Sequence, residues 1–250
     1  MKRRTTRWLG IILLGSTLGA RAQQYTGTTG LLHVPSAEME SAGTARIGAH
    51  FLNRELTPAA FTYNGKYHTA SYYLNLTPFP WIELAYTCTL LREEHKDGGT
   101  GLTGQDRYFS VKIRPLKEGR WWPSVANGSN DPYGSGYKGM LQVSADSKSQ
   151  DFCNYYVAAA KHVDFKAGEL GVHAAYRRFK QDYNGKWNGV VGGLTFRPDF
   201  ARNLRAVVEY TGHEVNAGVD CLLWRHLLVQ ACLQGGKYFS GGLCYQLNLF

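Results

Sequence analysis

Beyond the first 22 positions the chain has no run of 18 consecutive apolar residues, so no helix there is long and apolar enough to span a bilayer. Its 5 cysteines form no CxxC pair, and neither HExxH nor GxSxG occurs. The 8 histidines are scattered without ligand spacing. Zinc-ribbon, zincin and hydrolase-elbow chemistry therefore has no motif here, and no catalytic residue, metal or cofactor is expected. Gly99-x-Gly101-x-x-Gly104 matches a dinucleotide fingerprint in form, but it follows charged residues and precedes a strand pattern. With no helix N-terminus to hold a pyrophosphate, it reads as a loop. Helical periodicity is also missing.

The N-terminus reads as an address. Lys2, Arg3, Arg4 and Arg7 form a basic region, Trp8 to Gly19 is apolar, and Ala20-Arg21-Ala22 has the small-x-small form of a cleavage site. Residues 1–22 are predicted to be a signal peptide, with no cysteine at the cut to carry a lipid anchor. The formal charge of +9 includes five basic residues of that segment, so 23 basic against 19 acidic residues leave +4. That surplus gives no case for nucleic acid as a partner.

What is abundant is glycine (29) and tyrosine (16), spaced between short alternating runs. Twelve runs are predicted as strands: 44–54, 66–76, 81–91, 105–114, 121–128, 151–163, 169–178, 188–197, 203–211, 214–223, 226–235 and 239–249. Leu204, Ala206, Val208 and Tyr210 share one face, and Arg205, Val207, Glu209 and Thr211 the other. A soluble sandwich and a membrane barrel both produce such alternation. Loop lengths favour the barrel: with Thr44 starting in the periplasm, gaps 55–65, 92–104 and 129–150 face outward, while "TPFP", "PLKEGR", "VDFKA", "PDFAR" and "WR" face inward. Lys96 and Lys148 then sit in outward loops. Closure follows from the bilayer, where an unpaired sheet edge costs several kcal/mol per backbone group. Trp81, Trp121, Trp122, Trp187 and Trp224 lie at strand ends, as interface anchors do.

The fold class is thus all-β: a single antiparallel transmembrane barrel of about 12 strands over 44–250, preceded by a segment at 23–43. Outer-membrane lipids are its expected surroundings. Phe250 is one residue out of phase with the apolar face of Leu243, Tyr245, Leu247 and Leu249, which a bulge or a frayed end would absorb. The five cysteines read as small hydrophobes, with one bridge among Cys221, Cys232 and Cys244 left open.

Alternation points Arg46, His50, Glu83, Lys112, Arg114, His173, Arg177, Arg197, Arg205, Glu209 and Asp220 into the lumen. They form either a solvated wall with ion pairs across strands or a basic, porin-like selectivity surface for an acidic polymer.

Several stretches together resemble the YjbH-like outer-membrane proteins associated with exopolysaccharide production. "TGLLHVPSAEMESAGTARIG" is similar to that family's opening, and "LNLTPFPWIELAYT" to its next hairpin. "QDRYFSVKIRPLKEGRWWPSVANGSNDPYGSG" and "AVVEYTGHEVNAGVDC" follow in the family's order. Where members often carry Arg after the aromatic residue of the second motif, this chain has Thr87. Many members are longer, and this chain has length for one barrel. The resemblance implies no enzymatic activity. It implies a barrel that helps an exopolysaccharide or another envelope polymer leave or mature; the basic lumen set makes acidic polysaccharide an expected partner, with periplasmic export proteins beside it.

In a narrow barrel the segment before the first strand can fold back and plug the lumen, with Gly27, Gly30, Ser36 and Ala37 small enough to fit. The alternative is a periplasmic tail, which would leave Leu31, Leu32 and Val34 exposed beside Pro35. Two other functions stay open. One is a lipid-modifying enzyme with Ser71, Ser110, His68 and His173 as candidates, and the other is a structural or adhesive barrel.

Overall fold

The structure is a computed structural model that describes residues 21–57, 67–94, 97–135, 143–144 and 150–250. All but the last two residues of the expected signal peptide lie outside these, as do Lys96 and Lys148. Its strands are β1 (Thr44–Leu52), β2 (Thr69–Phe79), β3 (Ile82–Glu94), β4 (Thr100–Leu116), β5 (Ser124–Ser135), β6 (Val143–Ser144), β7 (Asn154–Phe165), β8 (Gly168–Phe179), β9 (Gly189–Pro198), β10 (Leu204–Tyr210), β11 (Val215–Leu223), β12 (Leu227–Gln234) and β13 (Tyr238–Asn248). Apart from β6, two residues paired to the outer end of β5, they form one closed antiparallel barrel of twelve strands. Closure comes from β1 pairing with β13, Thr44 opposite Asn248, so both ends of the barrel sequence lie at one rim. We call this the near end, and the opposite rim the far end.

The alternation sorts side chains as hydrocarbon requires. Ile47 is 57% exposed, Leu74 54% and Val208 50%, whereas their neighbours Arg46, Asn75 and Glu209 are 3%, 3% and 1% exposed. The outward set is the lipid face, and the buried polar set lines the interior. Trp81, Trp121, Trp122 and Trp224 stand exposed in near-end turns, while Tyr72, Tyr155, Tyr176 and Tyr210 stand exposed toward the far end. Amphipathic rings at both rims are what two membrane interfaces select. Trp187 departs from the expectation: it is buried in the far-end turn Asp182–Trp187, against Phe179 at 5.9 Å.

Two further expectations are corrected. The gap predicted at 92–104 is mostly strand, because β3 runs to Glu94 and β4 starts at Thr100. The run predicted at 121–128 begins only at Ser124, which leaves Trp121 and Trp122 in the turn. β13 ends at Asn248, so Phe250 lies beyond the alternation and its phase needs no bulge. All five cysteines are free.

The largest apolar cluster is not between two sheets. It sets Leu31, Leu32, Val34 and Ala37 of the N-terminal segment against wall residues such as Ala126, Ala158, Ala160, Ala175 and Val207. Small wall residues leave the width that this segment fills.

Candidate functional site

Residues 22–40 are buried throughout, inside the barrel. The segment is two tight turns, marked by bridges Gln23 to Thr29 and Gly30 to Pro35. Gln24 N–H donates to Thr28 O at 2.8 Å, and Leu31 N–H to Val34 O at 3.0 Å. Gly27 has φ +84°, a left-handed value that favours glycine, and a Cβ there would lie 2.7 Å from Thr87 Oγ1. The wall yields at two glycines in turn. A Cβ on Gly193 or Gly218 would lie 2.7 Å from Leu31 Cδ1 or Leu32 Cδ1. Leu31, Leu32 and Val34, which a free tail would leave in water, are at most 5% exposed.

Charged wall residues hold the segment by its backbone. Glu209, fixed on β10, accepts the successive amides of Leu32 (3.0 Å), His33 (2.9 Å) and Val34 (3.1 Å), and Asn216 Nδ2 at 2.9 Å. Three consecutive N–H groups turned to one carboxylate form an anion nest, here closed by a wall side chain. Glu83 accepts Thr29 N–H at 2.6 Å and Thr29 Oγ1–H at 2.8 Å, and pairs with Lys112 at 2.8 Å. Lys112 Nζ donates to Thr29 O at 2.7 Å and Glu38 O at 2.6 Å. Adjacent strands β3 and β4 therefore grip both the donor and the acceptor of Thr29. Arg205 bridges Asp220 (2.9 Å) and Glu38 (2.7 Å). Arg46 joins Glu40 (2.7 Å), Gln246 and Gln23. Arg177 donates to the carbonyls of His33 (2.9 Å), Thr211 (3.1 Å) and Trp187 (3.3 Å).

The remaining predicted lumen residues take lesser parts. His173 Nδ1 meets Ser36 Oγ at 2.9 Å. His50 Nε2 meets Gln230 Oε1, which also accepts Gln23 N–H. Arg114 and Arg197 sit at the near-end rim, on Pro80 O and on Glu169 respectively. Lys112 and Arg205 are fully buried in ion pairs across strands, with Glu83 and Asp220 respectively, and the segment adds its own carboxylates, Glu38 to Arg205 and Glu40 to Arg46. A cavity of about 10 Å³ among Tyr25, Leu32, His33, His50 and Gln230 leaves room for about one water.

Burial would raise the Glu38 carboxyl, but Arg205, the His162 hydrogen bond and His173 hold it well below the usual range. Burial lowers the His33 imidazole, with Glu209 opposing; Asn216 Nδ2 donates to its Nδ1 at 3.0 Å, as a neutral ring allows. Burial also raises the Tyr25 phenol.

The hydroxyls considered for lipid chemistry are directed inward. Ser71 Oγ–H donates to Tyr25 O (2.9 Å) and Ser110 Oγ–H to Thr26 O (3.4 Å), while His68 Nδ1 accepts the Arg54 amide. Thr87, at the position where the resembled family often carries Arg, donates to Thr26 O at 2.9 Å against Gly27. Glu38, Glu40, His162 and Asn75 were not singled out in the sequence. The usable signal was chemical, since a narrow lumen lined by both signs of charge faces a segment with its own two glutamates.

Comparison with solved structures finds outer membrane phospholipase A from Escherichia coli at 11% identity and TM-score 0.38, covering 84% of this chain and 98% of that one. The calcium-bound Salmonella typhi outer membrane phospholipase dimer matches at 11% identity and TM-score 0.38, covering 84% and 92%. No curated protein matches. The family described as "Exopolysaccharide biosynthesis protein YbjH" matches residues 22–249, the buried segment and the barrel together. With nearly its whole length matched, the chain belongs to the YjbH exopolysaccharide biosynthesis family.

Proposed function

We propose that this protein is an outer-membrane barrel of a Gram-negative cell, delivered by its N-terminal signal peptide, that assists export, assembly or modulation of exopolysaccharide. In the resting state its own N-terminal segment closes the lumen. The observation that carries the reading is the grip of Glu209, Glu83 and Lys112 on the backbone of residues 29–38. Such a grip makes the segment a built part of the lumen, and a part held by side-chain bonds can leave without unzipping the barrel. We infer a non-enzymatic role, supported by the inward hydrogen bonding of Ser71 and Ser110. Acidic polysaccharide and periplasmic export proteins are the proposed partners, because release of the segment would uncover Lys112, Arg177 and Arg205.

The test is removal of the gene from a polymer-secreting host, with complementation by the intact protein or by a form lacking residues 23–42. Loss of released or surface-organised polymer, restored by the intact protein and altered by the shortened one, is the expected result. Unchanged polymer amount, distribution and chain length in the deletion strain would overturn the reading.

A further inference from the structure

Toward the near end of β7 and β8 the fold assembles three side chains, one from the N-terminal segment and two from this hairpin. Donor atoms of Glu38, His162 and His173 fall within 4.8 Å of one another. Glu38 belongs to the plug, and the two imidazoles to adjacent wall strands. His162 Nε2 stands 3.3 Å from Glu38 Oε1, and the two rings meet edge to face at 5.4 Å between centroids.

The surroundings are those of a metal ligand set. A ligating histidine commonly donates its second N–H to a carboxylate, which fixes the tautomer and aims the other nitrogen. Here Glu118 Oε2 takes His162 Nδ1 at 2.7 Å, and Glu118 Oε1 takes the His162 amide at 2.8 Å. That leaves Nε2 pointed at Glu38. His173 is fixed by Ser36 at Nδ1, and among the described residues its Nε2 bonds to the neutral hydroxyl of Thr195 at 3.1 Å. Glu38 Oε2 is taken by Arg205 at 2.7 Å, so Oε1 is the oxygen turned to the imidazoles. Gly171, opposite His162 across the β7–β8 ladder, makes the space. A Cβ there would lie 2.8 Å from His173 Nε2 and 2.9 Å from His162 Cδ2. Both Nε2 edges therefore converge beside a position with no side chain.

We propose that Glu38, His162 and His173 form a binding site for a divalent transition metal of the zinc class, with Glu118 as the orienting carboxylate. Two imidazoles and one carboxylate suit Zn²⁺ with a fourth position for water. Bonds of about 2.0–2.1 Å place tetrahedral donors roughly 3.3–3.5 Å apart, so a closure of at most about 1.5 Å forms the site. Because one ligand is in the plug and two are in the wall, the metal clasps the plug to β7 and β8.

The test uses untagged, chelator-stripped full-length protein in detergent, titrated with Co²⁺ and Zn²⁺. One Co²⁺ per chain is expected, with d–d absorption of nitrogen and oxygen ligation, no thiolate charge transfer, and displacement by Zn²⁺. Glu118→Gln should weaken binding about 10–100-fold. His162→Ala with His173→Ala should abolish it while heat-dependent gel mobility reports a folded barrel. If that variant does not fold, pulsed EPR of the Cu²⁺-loaded intact protein should show two coupled imidazoles. Absence of stoichiometric metal, binding that survives the double substitution, or coupling to fewer than two imidazoles would overturn the site.

Discussion

The middle of the lumen and its far mouth are both rich in buried carboxylates, and they handle them in opposite ways. In the middle, Glu83 faces Lys112, Asp220 and Glu38 share Arg205, and Glu209 faces three amides. Each negative charge there organises a piece of plug backbone. At the far mouth Asp106, Asp131 and Asp151 are all buried beside Tyr108 and Phe152, with Lys180 supplying positive charge near Asp131. Asp131 itself adopts φ 51°, an uncommon backbone value for a residue other than glycine. Asp151 bonds to the Tyr183 hydroxyl and to no side-chain cation among the described contacts. Paired charge in the middle fixes the plug, whereas gathered like charge at the mouth makes that rim responsive to protonation.

The largest expected effect comes from breaking a pair in the middle. Lys112→Met strands Glu83 in the interior, and leaving one buried charge uncompensated costs about 3–5 kcal/mol. Denaturant unfolding in detergent should show the loss, and adding Glu83→Leu should recover part of it. A double variant as unstable as the sum of both singles would remove the coupling. Glu209→Gln is next. It keeps the shape but discharges the nest, so a loss of about 1.5–3 kcal/mol is expected, with faster hydrogen exchange at Leu32, His33 and Val34. Unchanged exchange there would mean that the nest is dispensable.

The mouth should answer pH with a smaller effect of definite sign. Burial pushes the Asp151 carboxyl up to about 6, with the Tyr183 hydrogen bond pulling the other way. A carboxyl raised in the folded state binds its proton there more tightly than when unfolded. It therefore weakens the fold as pH rises through the window between the ordinary carboxylate range and about 6. Intrinsic-rate-corrected hydrogen exchange at the start of β7 should slow as pH falls from 7 to 5, and Asp151→Asn should flatten that dependence. The smallest effect is expected at the rim pair Arg202–Asp199, where both side chains are exposed. Arg202→Ala should leave unfolding unchanged.

The barrel was legible because period-two alternation survives in nearly every strand. Leu204 to Tyr210 states both faces of β10 outright, and the lipid and lumen demand opposite residue types. The plug's placement was legible only in kind. Leu31, Leu32 and Val34 need cover, but a segment of two tight turns has no period from which a docking register follows. Its contacts to Glu209 span some 176 positions of sequence, and nothing local marks them. Alternation aims the lumen charges inward, yet Glu38 and Glu40, the partners of Arg205 and Arg46, sit outside any strand. Counting wall charges alone omits Glu38 and Glu40, which the folded chain sets against Arg205 and Arg46. Glu38, His162 and His173 show the same limit, since ligand spacing cannot register a set drawn from a plug and two strands.

The most direct measurement is single-channel conductance in planar bilayers, comparing the intact protein with a form lacking Gln23 to Ala42. With the segment gripped in the lumen, the intact protein should stay closed at low voltage. The shortened barrel, still heat-modifiable on a gel, should conduct steadily. Equal steady conductance from both forms would contradict a lumen closed by its own N-terminal segment.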